Sequence, residues 1–397
     1  MSSTTLVSGL DDVVAASTRL SHVDGERGEL TIGGFAVEEL APRATAEEVA
    51  HLLWTGELPG RDELSRLRAD LAAARALPPA TLELLRAAAA RRAAPMDALR
   101  MAAASLSLAD AAVAAAAPAS TPGAAGGAAG DGAQLPLARL LVGAFPAIVA
   151  GYGRLLGGHE PVEPRADLGQ AASLLWLLEG EEPAPERVRA LDTYLVTVSD
   201  HGLNASTFAA RVVVSTRSDL VSAVTAAVGA LKGPLHGGAP GPALDTVFEI
   251  GTAERAEPVL RAKLERGERL MGFGHRVYRV RDPRADVLGA AAERFYGAGG
   301  DRRLYALARH VEATALRLLR ERKPDRRLDT NVEFYTALLL HGLGLPRELF
   351  TPVFAIGRVA GWTAHCLEQL REGRLIRPRA EYVRPRGRRW PGGGRAS

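Results

Sequence analysis

The sequence predicts a mainly α-helical protein with only minor β-hairpins. Three observations carry that expectation. Apolar residues recur with helical spacing through most of the chain, glycine and proline interrupt them at helix-length intervals, and alternating runs of β-branched residues are scarce. The 397 residues exceed the roughly 250–300 at which one core stops growing, so the chain is long enough for two domains and a large core. Apolar residues make up 47% and charged residues 24%, as in folded globular chains.

The strongest hairpin signal is residues 19–32, which alternate around Asp24-Gly25. Thr45 and Glu48 then form a capping box ahead of Val49, Leu52 and Leu53, and Pro59-Gly60 closes that helix. Further helices are expected over 61–76, 79–92, 96–117, 136–156, 166–179, 185–200, 203–215, 219–231, 240–250, 256–266, 284–296, 301–322, 331–342 and 347–372. A second short strand is expected near Leu375 and Tyr382. Residues 118–133, rich in alanine, glycine and proline, read as a flexible low-complexity loop. The alanine-rich stretch 101–117 contains Asp110 and is too weakly hydrophobic for a membrane span, so it reads as a buried helix. The first 12 residues lack the basic-then-apolar order of a secretory signal.

The one cysteine, Cys366, cannot form an internal disulfide, which points to a reducing compartment and a cytoplasmic location. Between residues 371 and 395, nine arginines face Glu372 and Glu381, a surplus larger than the whole chain's net charge of +3. Basicity therefore belongs to the C-terminal stretch, with 386–397 expected as a disordered basic tail. Few aromatics are interleaved there for base stacking, so no nucleic-acid partner is expected.

Candidate chemistry gathers where histidine meets glycine: Asp200-His201-Gly202, Leu235-His236-Gly237-Gly238 and Gly272-Phe273-Gly274-His275-Arg276. Glycine lets a substrate or the backbone approach an imidazole closely. His275 is followed by Arg276, Arg279 and Arg284, whose planar forks suit carboxylate or phosphate. His201 and His236 could equally be satisfied core histidines. Glu333 has two readings: a general base near the positive end of a helix, or the far half of a capping box begun by Thr330. No histidine pair has the i, i+4 spacing of a helical metal site, so no metal is expected, and no Gly-x-Ser-x-Gly elbow is present.

Taken in chain order, these blocks resemble the citrate synthase family. The N-terminal part carries Asp24-Gly25-Glu26-Arg27-Gly28 and the segment from Glu47 to Pro59. Asp200-His201-Gly202-Leu203-Asn204-Ala205-Ser206-Thr207-Phe208, Gly233-Pro234-Leu235-His236-Gly237-Gly238, Gly272-Phe273-Gly274-His275, Asn331-Val332-Glu333-Phe334-Tyr335 and Gly357-Arg358-Val359-Ala360-Gly361-Trp362 follow. The similarity covers roughly residues 10–385.

The resemblance implies a citrate synthase-like all-α fold and a homodimer. Residues 1–236 with 339–397 would form the large domain, carrying the oxaloacetate site, and 237–338 the small domain, carrying the coenzyme A site. It implies condensation of acetyl-CoA, as co-substrate, with oxaloacetate, followed by hydrolysis of the thioester. No metal or permanently bound cofactor is implied. Glu333 would be the base, His236 the donor to the thioester oxygen and His275 the donor to the ketone. His201, Arg284 and Arg358 would hold the oxaloacetate carboxylates, with Arg377 reaching in from the other subunit. Met271, Gly272, Phe273, Gly274 and Asn331 match positions that line the family's coenzyme A site, with Arg279 and Arg326 expected as partners for its phosphates.

Two departures stand out. The family's usual base is aspartate, whereas this chain has Glu333, and Ile32-Gly33-Gly34-Phe35 lacks a tyrosine-arginine pair that commonly precedes the Gly-aromatic step. Alternatives are therefore a 2-methylcitrate synthase using propionyl-CoA and a catalytically weak paralogue with a binding or regulatory role.

Overall fold

The computed structural model describes residues 8–10, 13–109, 134–237 and 240–388. The loop expected over 118–133 lies outside these residues, as does all of the basic tail beyond Arg388.

The expected hairpin is present. Strand β1 (Ser21–Asp24) pairs antiparallel with β2 (Glu29–Ile32), and β3 (Phe35–Ala36) adds to β2. The Asp24 carboxylate accepts from the amides of Glu26 and Arg27, which nucleates the turn. A one-turn helix α1 (Val37–Leu40) follows. The hairpin is tied down at several distant points. The Gly25 carbonyl accepts from the Arg279 amide at 2.7 Å, and the Ser21 hydroxyl donates to Asp200. Just ahead of it, the Arg19 amide donates to Glu368 at 2.9 Å.

Helices α2 (Ala46–Thr55), α3 (Arg61–Ala73), α4 (Pro79–Ala90) and α5 (Pro95–Ser105) come next. The capping box of α2 forms as expected, with the Thr45 amide donating to Glu48 at 2.7 Å. Helix α5 ends at Ser105, where a short 3-10 turn at Leu106–Leu108 follows it, and the rest of the expected helix, 110–117, lies outside the described residues. Helix α6 (Leu135–Leu156) is long and apolar enough to cross a membrane, yet 83% of its most apolar window is buried inside the protein. It serves as core, packed by α3, α4, α5 and α7 (Gln170–Glu179).

Helices α8 (Pro185–Thr197), α9 (Ala205–Ser215) and α10 (Leu220–Leu231) lead to a second group: α11 (Pro240–Ile250), α12 (Ala253–Glu265), α13 (Pro283–Ala298), α14 (Arg302–Arg322) and α15 (Val332–Gly342). Members of this group pack largely on one another, and α13 also leans on α8 and α1. No strand forms near Leu375 and Tyr382: the chain there is irregular and exposed, with no strand beside it to supply the hydrogen bonds a lone strand leaves open.

The last helix, α16 (Phe350–Glu372), runs through the centre of the large helical body and contacts α2, α6, α8, α9 and α10. Almost every residue from Phe350 to Leu370 is buried, including Arg358, His365, Glu368 and Gln369. It comes close to the turn after α8. A Cβ at Gly361 would lie 2.3 Å from the Ser199 carbonyl oxygen and 2.7 Å from the Asp200 carboxylate. Only a residue without a side chain lets α16 seat there. The substitution Gly361→Ala is therefore expected to cost about 2–3 kcal/mol through overpacking, read from urea denaturation at fixed protein concentration; an unchanged midpoint would mean that the turn yields.

Candidate active site

The turn between α8 and α9 presents His201. Asp200, fully buried, anchors that turn by accepting from Ser21, from the Gly202 amide at 3.3 Å and from His365 at 3.3 Å. Burial alone would raise the Asp200 carboxyl, but His365, the hydrogen bonds and Arg358 hold it below its ordinary value. The Arg211 guanidinium lies 2.9 Å from His365 Nδ1 and pairs with Glu368 at 2.7 Å. Since arginine can only donate, His365 Nδ1 accepts and its Nε2–H points to Asp200.

Each histidine-glycine block has a backbone that only glycine accommodates. Gly202 and Gly274 have φ of +60° and +80°, and a Cβ on Gly237 would meet the Leu231 carbonyl oxygen at 2.3 Å.

Three rings converge. His201 Nε2 lies 3.0 Å from the Tyr278 hydroxyl. The His201 and His275 ring centroids are 5.8 Å apart, and those of His275 and Tyr278 4.9 Å. His275 Nδ1 accepts from the amides of Val277 and Tyr278 at 3.0 and 3.1 Å. An amide N–H can only donate, so the His275 proton sits on Nε2. That nitrogen faces Arg284 Nη2 at 3.3 Å. Two donors facing one another leave a place that an acceptor would fill.

Arg284 opens α13, held by a forked contact to Asp282 at 2.8 and 3.0 Å. The Asp282 carboxylate also accepts from the Val332 amide at 3.2 Å, so it ties the start of α13 to the start of α15. Arg358, 2% exposed, donates from Nε to the Val198 carbonyl at 2.6 Å and lies 4.7 Å over the Phe354 ring. Among the described residues it has no carboxylate within ion-pair distance, and burial pushes it down to about 10. The site is therefore electropositive and short of anions. Burial, reinforced by neighbouring arginines, lowers His275 and His236 to about 4 and His201 well below its ordinary value. All three are neutral at physiological pH.

His236 is half-buried beside the first turn of α9. Its Nε2 lies 2.7 Å from the Ser206 hydroxyl and 3.3 Å from the Ser206 amide. The hydroxyl in turn accepts from Trp362 Nε1 at 3.0 Å.

Glu333 is half-buried at the start of α15, and it is not a capping-box residue. The helix cap is Asn331, whose side chain accepts from the Glu333 amide at 3.0 Å. Thr330 instead donates its hydroxyl to buried Glu312 at 2.7 Å. The Glu333 carboxylate is thus released from the helix end, and burial pushes it up to about 6, with Arg284 opposing and Asp282 assisting.

The loop before His275 meets the same helix start. Phe273 bridges to Thr330, the Asn331 amide donates to the Gly272 carbonyl at 2.9 Å, and Asn331 Nδ2 donates to the Gly274 carbonyl at 2.8 Å. Met271, Gly272, Phe273, Gly274 and Asn331 are therefore brought together. Arg279 and Arg326 are exposed, as is Arg377 on the irregular stretch after α16; Arg377 pairs with none of the groups above. Among the described residues no three His, Cys, Asp or Glu side chains gather in a way that could hold a metal ion.

Sequence reasoning did not single out Tyr278, Ser206 or Phe354. Each was accessible as a signal: Tyr278 shares the His275 block, Ser206 follows His201 in its block, and Phe354 stands one helical turn before Arg358.

The family model described as "Citrate synthase, C-terminal domain" matches residues 9–379. A Bacillus subtilis protein named citrate synthase 2 is 41% identical over 96% of this chain and 96% of its own. A Shewanella oneidensis protein named 2-methylcitrate synthase is 38% identical, covering 94% of each chain. The crystal structure of citrate synthase from Pyrobaculum aerophilum superimposes with a TM-score of 0.87 at 40% identity, over 98% of this chain and 95% of that one. With a family match spanning nearly its whole length and a site built from the blocks that carried the resemblance, this chain belongs to the citrate synthase family.

Proposed function

We propose that the protein condenses acetyl-CoA with oxaloacetate and hydrolyses the citryl thioester to citrate and coenzyme A. The observation that carries this reading is the convergence of Arg284, Arg358, His201 and His275 around an acceptor-deficient place, on the helix start that bears Glu333.

Oxaloacetate supplies the missing charge. Its carboxylates take Arg284, Arg358 and His201, and its ketone oxygen takes the Nε2–H of His275. Glu333, ionised above about pH 6, removes a proton from the acetyl methyl group. The negative charge that moves to the thioester oxygen is met by His236. Its Nε2 is occupied by the Ser206 amide, so its proton belongs on Nδ1, available to that oxygen. A preorganised donor of this kind contributes about 2.7–4 kcal/mol to the barrier. The enolate carbon then bonds to the ketone carbon, and the ketone oxygen takes the proton of His275. Water finally cleaves the thioester, releasing the coenzyme A thiol.

Residues 237–338 act as a small domain that closes over the substrates, while 1–236 and 339–397 form the large one. The loop Met271–Gly274 with Asn331 lies against the coenzyme, and exposed Arg279 and Arg326 reach its phosphates. The protein works as a homodimer in which Arg377 completes the partner's oxaloacetate site.

Thiol release from acetyl-CoA in the presence of oxaloacetate tests the activity, and its absence in folded protein would refute it. Propionyl-CoA in the same assay decides the acyl group: a higher kcat/KM for propionyl-CoA would make this a 2-methylcitrate synthase, like its Shewanella relative.

Glu333→Gln is expected to lower kcat by about 10²–10⁴-fold while the fold is kept. Wild-type kcat should fall as pH drops through about 6, because the base is lost on protonation; a flat profile from pH 5 to 8 would exclude Glu333 as the base. Arg377→Ala and His275→Ala proteins, each inactive alone, should regain activity when their subunits are exchanged. No recovery would place Arg377 in its own subunit's site.

A further inference from the structure

Tyr278 is a polar group at the convergence of the rings that the reaction above leaves unused. It is 2% exposed, yet its hydroxyl is turned to His201 Nε2 at 3.0 Å rather than into the apolar core. Its ring lies against both His201 and His275, with centroids 5.6 and 4.9 Å away, and the Arg284 guanidinium sits 5.7 Å from its centre. It thus lies against three of the groups assigned to oxaloacetate.

Counting protons shows what this hydroxyl can do. Neutral His201 carries one N–H and one bare nitrogen, and Tyr278 carries one O–H. One of these protons is used between them. When the phenol donates to Nε2, the imidazole keeps its proton on Nδ1. When Nε2–H donates to the phenolic oxygen, the Tyr278 O–H is released. The pair therefore always offers one further donor, and the hydroxyl decides where it points. Burial raises the Tyr278 phenol far above its ordinary value, so the proton stays on.

We propose that Tyr278 is a further substrate-positioning residue: with His201 it forms a coupled donor for the 2-oxo dicarboxylate, and it thereby helps select that substrate. This rests on the assignment of His201 to oxaloacetate, so both residues enter the test.

Tyr278→Phe removes one oxygen and keeps the ring packing. The dissociation constant for oxaloacetate alone, measured by calorimetry in the absence of any acyl-CoA, should rise roughly tenfold, the scale of one buried hydrogen bond. KM for oxaloacetate should rise with it, while KM for acetyl-CoA and the thermal midpoint stay close to wild type. The ¹⁵N signals of the His201 ring should also move in the variant. A purely structural tyrosine would instead lower the thermal midpoint or kcat with oxaloacetate affinity unchanged, and that result overturns the proposal. His201→Gln separates the two levels. Loss of oxaloacetate affinity in His201→Gln but not in Tyr278→Phe refutes only the role of the tyrosine, whereas unchanged affinity in His201→Gln refutes the site assignment beneath it.

Discussion

Burial of α16 on all its faces is the constraint on which the site depends. A helix surrounded by protein must find partners inside the protein for every polar group it carries. Arg358 takes the Val198 carbonyl, His365 takes Asp200 and Arg211, and Glu368 takes Arg211 and the chain just ahead of the hairpin. These partners are the walls of the candidate site or stand directly behind them. The turn that offers His201 is therefore set by the polar needs of a core helix, and the tight seat at Gly361 fixes how close the two come.

Electrostatics complete the picture. Among the described residues Arg358 is taken out of water with no carboxylate at ion-pair distance, Asp200 acting on it only from further off, an arrangement that costs folding free energy and strengthens the pull on any anion that arrives. Asp282 neutralises only Arg284 and binds it to the start of α15. Burial, aided by the neighbouring arginines, keeps the imidazoles neutral, which suits them to donate hydrogen bonds to oxygen atoms that gain charge during the reaction. Glu333 is shifted the opposite way, because its burial outweighs the arginines.

The helical content and the site blocks were legible in the sequence because both are local. Periodicity marks a helix, and a glycine beside a histidine marks a backbone that needs unusual freedom. Legibility failed where a distant partner decided the outcome. Thr330 and Asn331 are both good caps for α15, one residue apart, and spacing favoured Thr330 because Glu333 falls three residues after it. Buried Glu312 on α14 claims the Thr330 hydroxyl, so Asn331 caps and Glu333 is freed. The strand expected near Leu375 failed for a related reason: no neighbouring strand is there among the described residues to pair with it. That Arg358 would lie buried beside an aromatic ring rather than a carboxylate is equally a matter of what surrounds it.

The hairpin's distant attachments also bear on how the chain is made. During synthesis the residues around β1 leave the ribosome long before Asp200, Arg279 and Glu368, to which they bond and which follow 179 or more residues later. Contacts of such long range close slowly, and the earliest segment has to wait for the latest. A nascent chain that has not yet released α16 leaves the Asp200 turn without its helix and the N-terminal segment without Glu368. Assembly of the reactive cluster is in this way coupled to the emergence of α16, and chains that have not yet made it leave these groups unassembled.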